Sequence, residues 1–196
     1  MLLTIEIIQQ IIYSLAVALL LVYLSRLPKH SLFFSSLLFC SLLLAINLIP
    51  LYRGSSLVEI LRGAIGDVSI ASGCIMLAII AKQFDFREIK PRLFAPLEKN
   101  GLIIVGSLLY LSTFSFISFD IYALGYVSQK LLIGVIIITF LLIAYDRVLG
   151  YIWFLTLVAY YFHLQASNNL WDYIYDPVLW LVLLIDAAKQ LITKIR

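Results

Sequence analysis

Seven apolar stretches separated by short polar segments constrain this chain more than any other feature. They run over Ile7–Leu24, Leu32–Leu51, Leu57–Ala81, Gly101–Ile117, Leu131–Tyr145 and Val148–Leu164, with the last running from Pro177 toward the C-terminus. Several approach the ~20 residues that a helix needs to cross a bilayer. Hydrophobic residues make up 63% of the 196 and charged residues 13%, with a mean hydropathy of +1.06. A water-soluble interior of this size has too little room for that much apolar surface. The expected fold is therefore all-α, a polytopic transmembrane helical bundle of about seven spans forming a single integral membrane domain over residues 1–196. Six spans are expected if the last helix is interfacial, because Asp186, Lys189 and Gln190 interrupt its apolar face.

Charge placement then suggests an orientation. Arg26, Lys29, Lys82, Arg87, Lys90, Arg92, Lys99, Arg147, Lys189, Lys194 and Arg196 fall in alternate loops and the tail, leaving only Arg53, Arg62 and Lys130 on the other side. The positive-inside rule places the N-terminus outside and the C-terminus in the cytoplasm of a plasma (bacterial inner) membrane. The segment from Lys82 to Asn100, rich in basic, aromatic and proline residues, reads as a loop lying on the headgroups. The first residues, MLLTIEII, lack a basic n-region, so the first apolar run reads as a retained span rather than a cleaved signal.

Two local signals fix helix starts. Ser56 followed three residues later by Glu59 is a capping-box pattern, so a helix is expected from Leu57. Continued to Ala81 it would be about 37 Å long at ~1.5 Å per residue. Asp176 before Pro177 reads as an N-cap with proline at the first helical position.

Three polar motifs share the outer side: YRGSSLVEILRGAIGD, FDIYALGYVSQK and QASNNLWDYIYDP. In the first, Glu59, Arg62, Gly63, Gly66, Ile70 and Gly73 recur on one helix side, and the two central glycines admit a close neighbour or ligand. Asp67 sits below headgroup level and needs a cation, for which Arg62, Arg53 and Lys130 are available. The arginine fork suits phosphate or carboxylate oxygens. The candidate ligand-binding set is Arg53, Glu59, Arg62, Asp67, Asp120 and Tyr122, with Asn169 and Asp172 at the rim. Against this stands a structural ion-pair network for the first motif, and plain turn formation with an aromatic belt for the third.

The remaining polar residues point to structure. Asp186 can pair with Lys189 at i, i+3. Cys40 and Cys74 sit in apolar runs and read as small buried side chains. His30 and His163 fall on opposite faces, which argues against a haem-ligating pair or a zinc site. The sequence contains no GxSxG, P-loop, HExxH or CxxC. No cofactor is expected, and no nucleic-acid partner.

These features support a membrane protein that binds an anionic lipid or glycolipid headgroup, as an accessory or transport subunit in envelope assembly. Its partners would be membrane lipids and another membrane protein. Two alternatives belong to other classes. One is a membrane-embedded transferase or hydrolase with Asp67 or Asp120 as base. The other is a structural scaffold of a membrane complex.

Overall fold

The computed structural model describes residues 2–24, 32–83 and 96–195. The loops carrying Arg26, Lys29 and His30, and most of the basic segment after Lys82, lie outside the described residues.

Among the described residues the chain is mostly helical, and it divides into two compact units. The first comprises Met1–Asp67 with Gly73–Pro91, and the second Val68–Ser72 with Arg92–Arg196. In the first unit, α1 (Leu2–Leu24) packs on α2 (Leu32–Leu48) and on α3 (Leu57–Ile65). Between α2 and α3 lies a two-residue hairpin joining β1 (Pro50–Tyr52) to β2 (Ser55–Ser56), antiparallel, with Tyr52 opposite Ser55. Arg53 (φ 51°) and Gly54 (φ 86°) form its tip. Positive φ at both positions is the I′ geometry that suits the strand twist, and it is easy for glycine but costly for arginine. α4 (Ile70–Gln83) follows α3 after a short break.

In the second unit α5 (Pro96–Thr113) packs on α10 (Pro177–Ile195), and α7 (Gln129–Tyr145) on α8 (Arg147–Tyr161). The short α6 (Leu124–Val127) and α9 (Leu170–Ile174) meet each other, α6 also against α7 and α9 against α8. A single residue turns α7 into α8: Asp146 ends one helix, and its carboxylate accepts from Val148 and Leu149 N–H to cap the next. At the α7–α8 crossing Gly150 lets the backbones close, since a Cβ there would lie 2.4 Å from the Ile143 nitrogen. Val135, Leu170 and Ile174 form a buried cluster on which Leu131, Trp153 and Leu157 pack.

The expected transmembrane architecture is not supported. Among the described residues no helix is long and apolar enough to cross a membrane. The physical reason is segment length and interruption. α2, α4, α7 and α8 hold 17, 14, 17 and 15 residues. At ~1.5 Å per residue they reach about 21–26 Å, short of the ~30 Å hydrocarbon core. α5 carries Glu98 and Lys99, and α10 carries Asp186, Lys189 and Lys194. The stretch expected as one helix from Leu57 to Ala81 is broken into α3 and α4, because Gly66 leaves helical geometry (φ 88°, ψ −170°). The polytopic bundle of seven (or six) spans is corrected accordingly. The multi-pass plasma- or inner-membrane placement with an outer N-terminus falls with it.

Candidate functional site

In the first unit the polar residues gather at the ends of α3. Ser56 Oγ accepts from Glu59 N–H at 3.3 Å, and a Glu59 carboxylate oxygen accepts from Ser56 N–H at 2.8 Å. This is the capping box read from the sequence, and it assigns Glu59 to holding the helix start. At the other end Gly66 N–H donates to Arg62 O at 2.8 Å, closing the helix, and the chain turns so that Asp67 faces back. Arg62 Nε donates to Asp67 Oδ1 at 2.8 Å, with side chains 28% and 32% exposed. Of the three cations considered for Asp67, the structure selects Arg62. Tyr13 of α1 donates its hydroxyl to Gly66 O, pinning this corner to the helix behind it. Arg53 stands at the exposed hairpin tip with its guanidinium carbon 5.2 Å from the Tyr52 ring centroid.

Asp67 therefore sits in a loop and not deep within a helix, and the one-sided row from Glu59 to Gly73 does not exist. Gly63 and Gly66 meet nothing within 4 Å of where a Cβ would stand. They leave open space beside Arg62 rather than admitting a packed neighbour. The close approaches occur elsewhere, with Gly73 on Ile12, Gly106 on the Tyr175 ring and Gly125 on Asn169.

The second and third motifs meet in the second unit. Tyr122 donates its hydroxyl to Asp172, 2.8 and 3.0 Å from the two carboxylate oxygens. Asn169 Nδ2 donates to Tyr122 O at 3.1 Å, its Oδ1 accepts from Trp171 N–H at 2.9 Å, and Trp171 Nε1 donates to Ile121 O at 3.1 Å. Asp120 Oδ1 accepts from Ala123 N–H at 3.0 Å, with Ser112 Oγ at 3.5 Å. Burial first, and then the Asp172 hydrogen bond, push the Tyr122 phenol well above its ordinary range. These contacts assign Asn169 to capping α9 and Asp120 to closing a turn. Asp172 is occupied by a phenol that keeps its proton. Arg53, Glu59, Arg62 and Asp67 thus belong to one unit, and Asp120, Tyr122, Asn169 and Asp172 to the other.

The most connected carboxylate was recognised in the sequence only as a helix cap. Asp176 is 4% exposed. Its Oδ1 accepts from Leu179 N–H at 2.8 Å, capping α10. Its Oδ2 accepts from Ser69 N–H at 2.9 Å, from Ser69 Oγ at 2.6 Å and from Ser72 Oγ. Ser69 Oγ in turn accepts from Ser72 N–H at 3.1 Å, so the first turns of α4 and α10 share one acceptor. Asp-Pro announces the α10 cap, but no local signal announces a partner 107 residues away. Asp186 likewise takes a remote partner, accepting from buried Lys99 at 2.7 Å and from Gln190 at 3.0 Å.

Burial raises the Cys74 thiol pKa, and both cysteines are free. His163 adopts φ 51° beside the Tyr160 ring. Among the described residues no group of three His, Cys, Asp or Glu side chains is placed to hold a metal ion. No family model, curated protein or solved structure matches this chain.

Proposed function

We propose that this protein is a non-enzymatic binder of an anionic amphiphile, gripping a phosphate or carboxylate headgroup at Arg62 and serving an accessory or transport role. The observation that carries this is the posture of Arg62. Asp67 takes its Nε edge, and among the described residues no hydrogen bond engages its outer Nη edge. A guanidinium already held in plane loses less freedom when it binds two oxygens. The open space beside Gly63 and Gly66 gives a ligand access. Exposed Phe33, Phe34, Leu44 and Leu48 on α2 show that this unit presents apolar surface of the kind that marks interaction sites.

The contacts of the acidic residues favour binding over chemistry. Asp67 is committed to Arg62, and Asp120 to a backbone N–H, so neither stands free as a general base. The test is titration of the protein with hexadecyl phosphate, wild type beside Arg62→Lys. Lysine keeps the charge and loses the fork, so affinity should fall about tenfold with helicity unchanged. Equal affinity in the two proteins would reject Arg62 as the anion site.

A further inference from the structure

α1 and α2 enclose a groove of about 380 Å³ walled by Ile7, Ile11, Leu15 and Leu43. Three polar side chains open into it: Gln10, Ser14 and Asn47. Asn47 Oδ1 accepts from Gln10 Nε2 at 3.3 Å and from Ser14 Oγ at 3.0 Å, while Asn47 Nδ2 donates to Leu43 O at 2.8 Å. Ser14 Oγ also lies 2.6 Å from Gln10 O, so its single proton is divided between two acceptors. Each carboxamide has two N–H donors, and these bonds use one on Gln10 and one on Asn47. Among the described residues, two amide N–H groups thus remain without an acceptor at the wall of an otherwise apolar groove. That composition, mostly apolar with a few placed polar groups, is what small-molecule sites are built from.

We infer that this groove holds a single acyl chain whose ester or amide carbonyl accepts from Gln10 and Asn47. This rests on the anion-binding role of Arg62 proposed above and specifies the ligand as an acyl phosphate amphiphile. The link between the two places is Tyr13, which neighbours Ser14 on α1 and donates to Gly66 O, immediately before Asp67. Gln10 and Tyr13 are three residues apart, about 4.5 Å along a helix axis. Tyr13 thus ties α1, which carries two of the groove's polar side chains, to the corner that follows Arg62. A volume of 380 Å³ accommodates about a dozen groups of ~30 Å³, so a single sixteen-carbon chain fills it and the far end of that chain lies outside.

The experiment is calorimetric titration with palmitoyl lysophosphatidate, with hexadecyl phosphate (chain and phosphate without a carbonyl) and with inorganic phosphate. Wild type should prefer lysophosphatidate over hexadecyl phosphate by about tenfold, the worth of one good hydrogen bond. Asn47→Leu and Gln10→Leu should abolish that preference while leaving hexadecyl phosphate affinity within about twofold. Ile11→Trp, at the exposed groove edge, should weaken both amphiphiles about tenfold and spare inorganic phosphate. Circular dichroism of each variant reports that the fold is kept. An unchanged ratio between the amphiphiles in both leucine variants overturns the carbonyl assignment. Unchanged affinities in Ile11→Trp remove the groove as the site. If instead Arg62→Ala leaves all three affinities intact, the anion site fails alone, because the carbonyl preference is a ratio that does not depend on it.

Discussion

Removing the Asp176 carboxylate should be among the most destabilising single changes available in the second unit. In Asp176→Ala the N–H groups of Ser69 and Leu179 lose their acceptor, and the Ser69 and Ser72 hydroxyls lose the carboxylate they share. The site is closed to solvent, with Ser69 0% and Ser72 3% exposed, so water cannot replace the acceptor without opening the structure. Hydrogen bonds to a charged group contribute about 1.5–3 kcal/mol each, and a buried orphan donor costs about 1–3 kcal/mol. The hydroxyls can turn to each other, since their oxygens lie 3.0 Å apart, so two backbone donors set the loss. The expected cost is about 3–5 kcal/mol, or roughly 6–20 °C in Tm for a chain of this size. Asp176→Asn keeps one acceptor oxygen but turns an NH₂ toward donors, so about half that loss is expected. Urea unfolding followed by circular dichroism measures both. A shift below about 0.5 kcal/mol for Asp176→Ala would refute the idea that this carboxylate is the shared cap of α4 and α10. A Ser72→Ala/Asp176→Ala double-mutant cycle should show coupling, because the two side chains touch.

Other perturbations test separate parts of the fold. Lys99 is 7% exposed while Asp186 is largely solvated, so Lys99→Met should change stability by less than about 1 kcal/mol, whereas Asp186→Ala should cost about 1–3 kcal/mol by stranding a buried ammonium. Urea midpoints of the two variants give the comparison. Gly63→Ala should stabilise by about 0.5–1 kcal/mol, since helical Gly63 meets nothing nearby, while Gly150→Ala should cost about 1–3 kcal/mol by pressing on the Ile143 backbone. Thermal melts should move in opposite directions. Burial is the first cause raising the phenols of Tyr110, Tyr122 and Tyr175, with neighbouring carboxylates adding to it. Their contribution is full below the unfolded phenol pKa of ~10 and is lost as pH rises toward the folded values. Unfolding midpoints should therefore fall between about pH 10 and 12, and Tyr122→Phe should make that fall shallower.

The Ser56–Glu59 box and the Asp176–Pro177 start were readable because each is local, with the side chain serving a backbone N–H within a few residues of itself. The break after Tyr145 was readable because Asp146 and Arg147 interrupt two apolar stretches, whereas the Asp146 cap and the restart at Arg147 appear only in the structure. The Gly66 break was not. A run of apolar residues continues across it, and the contacts that hold the chain out of the helix come from remote residues, Tyr13 on Gly66 and Asp176 on Ser69, together with the Arg62–Asp67 pair. Reading through that break made one long helix out of two short ones and contributed to the mistaken membrane-spanning architecture.

Composition and periodicity by themselves determined that this chain is helical and where several of its helices begin, because those choices depend on neighbours three or four residues away. Tertiary structure decided which further donors the acidic side chains meet. It gave Asp67 to Arg62, Asp172 to Tyr122, Asp186 to Lys99 and Asp176 to Ser69 and Ser72. A carboxylate's partner is whichever donor the packed chain leaves within about 3 Å. For most of these residues that donor comes from far along the sequence, where no local pattern can record it.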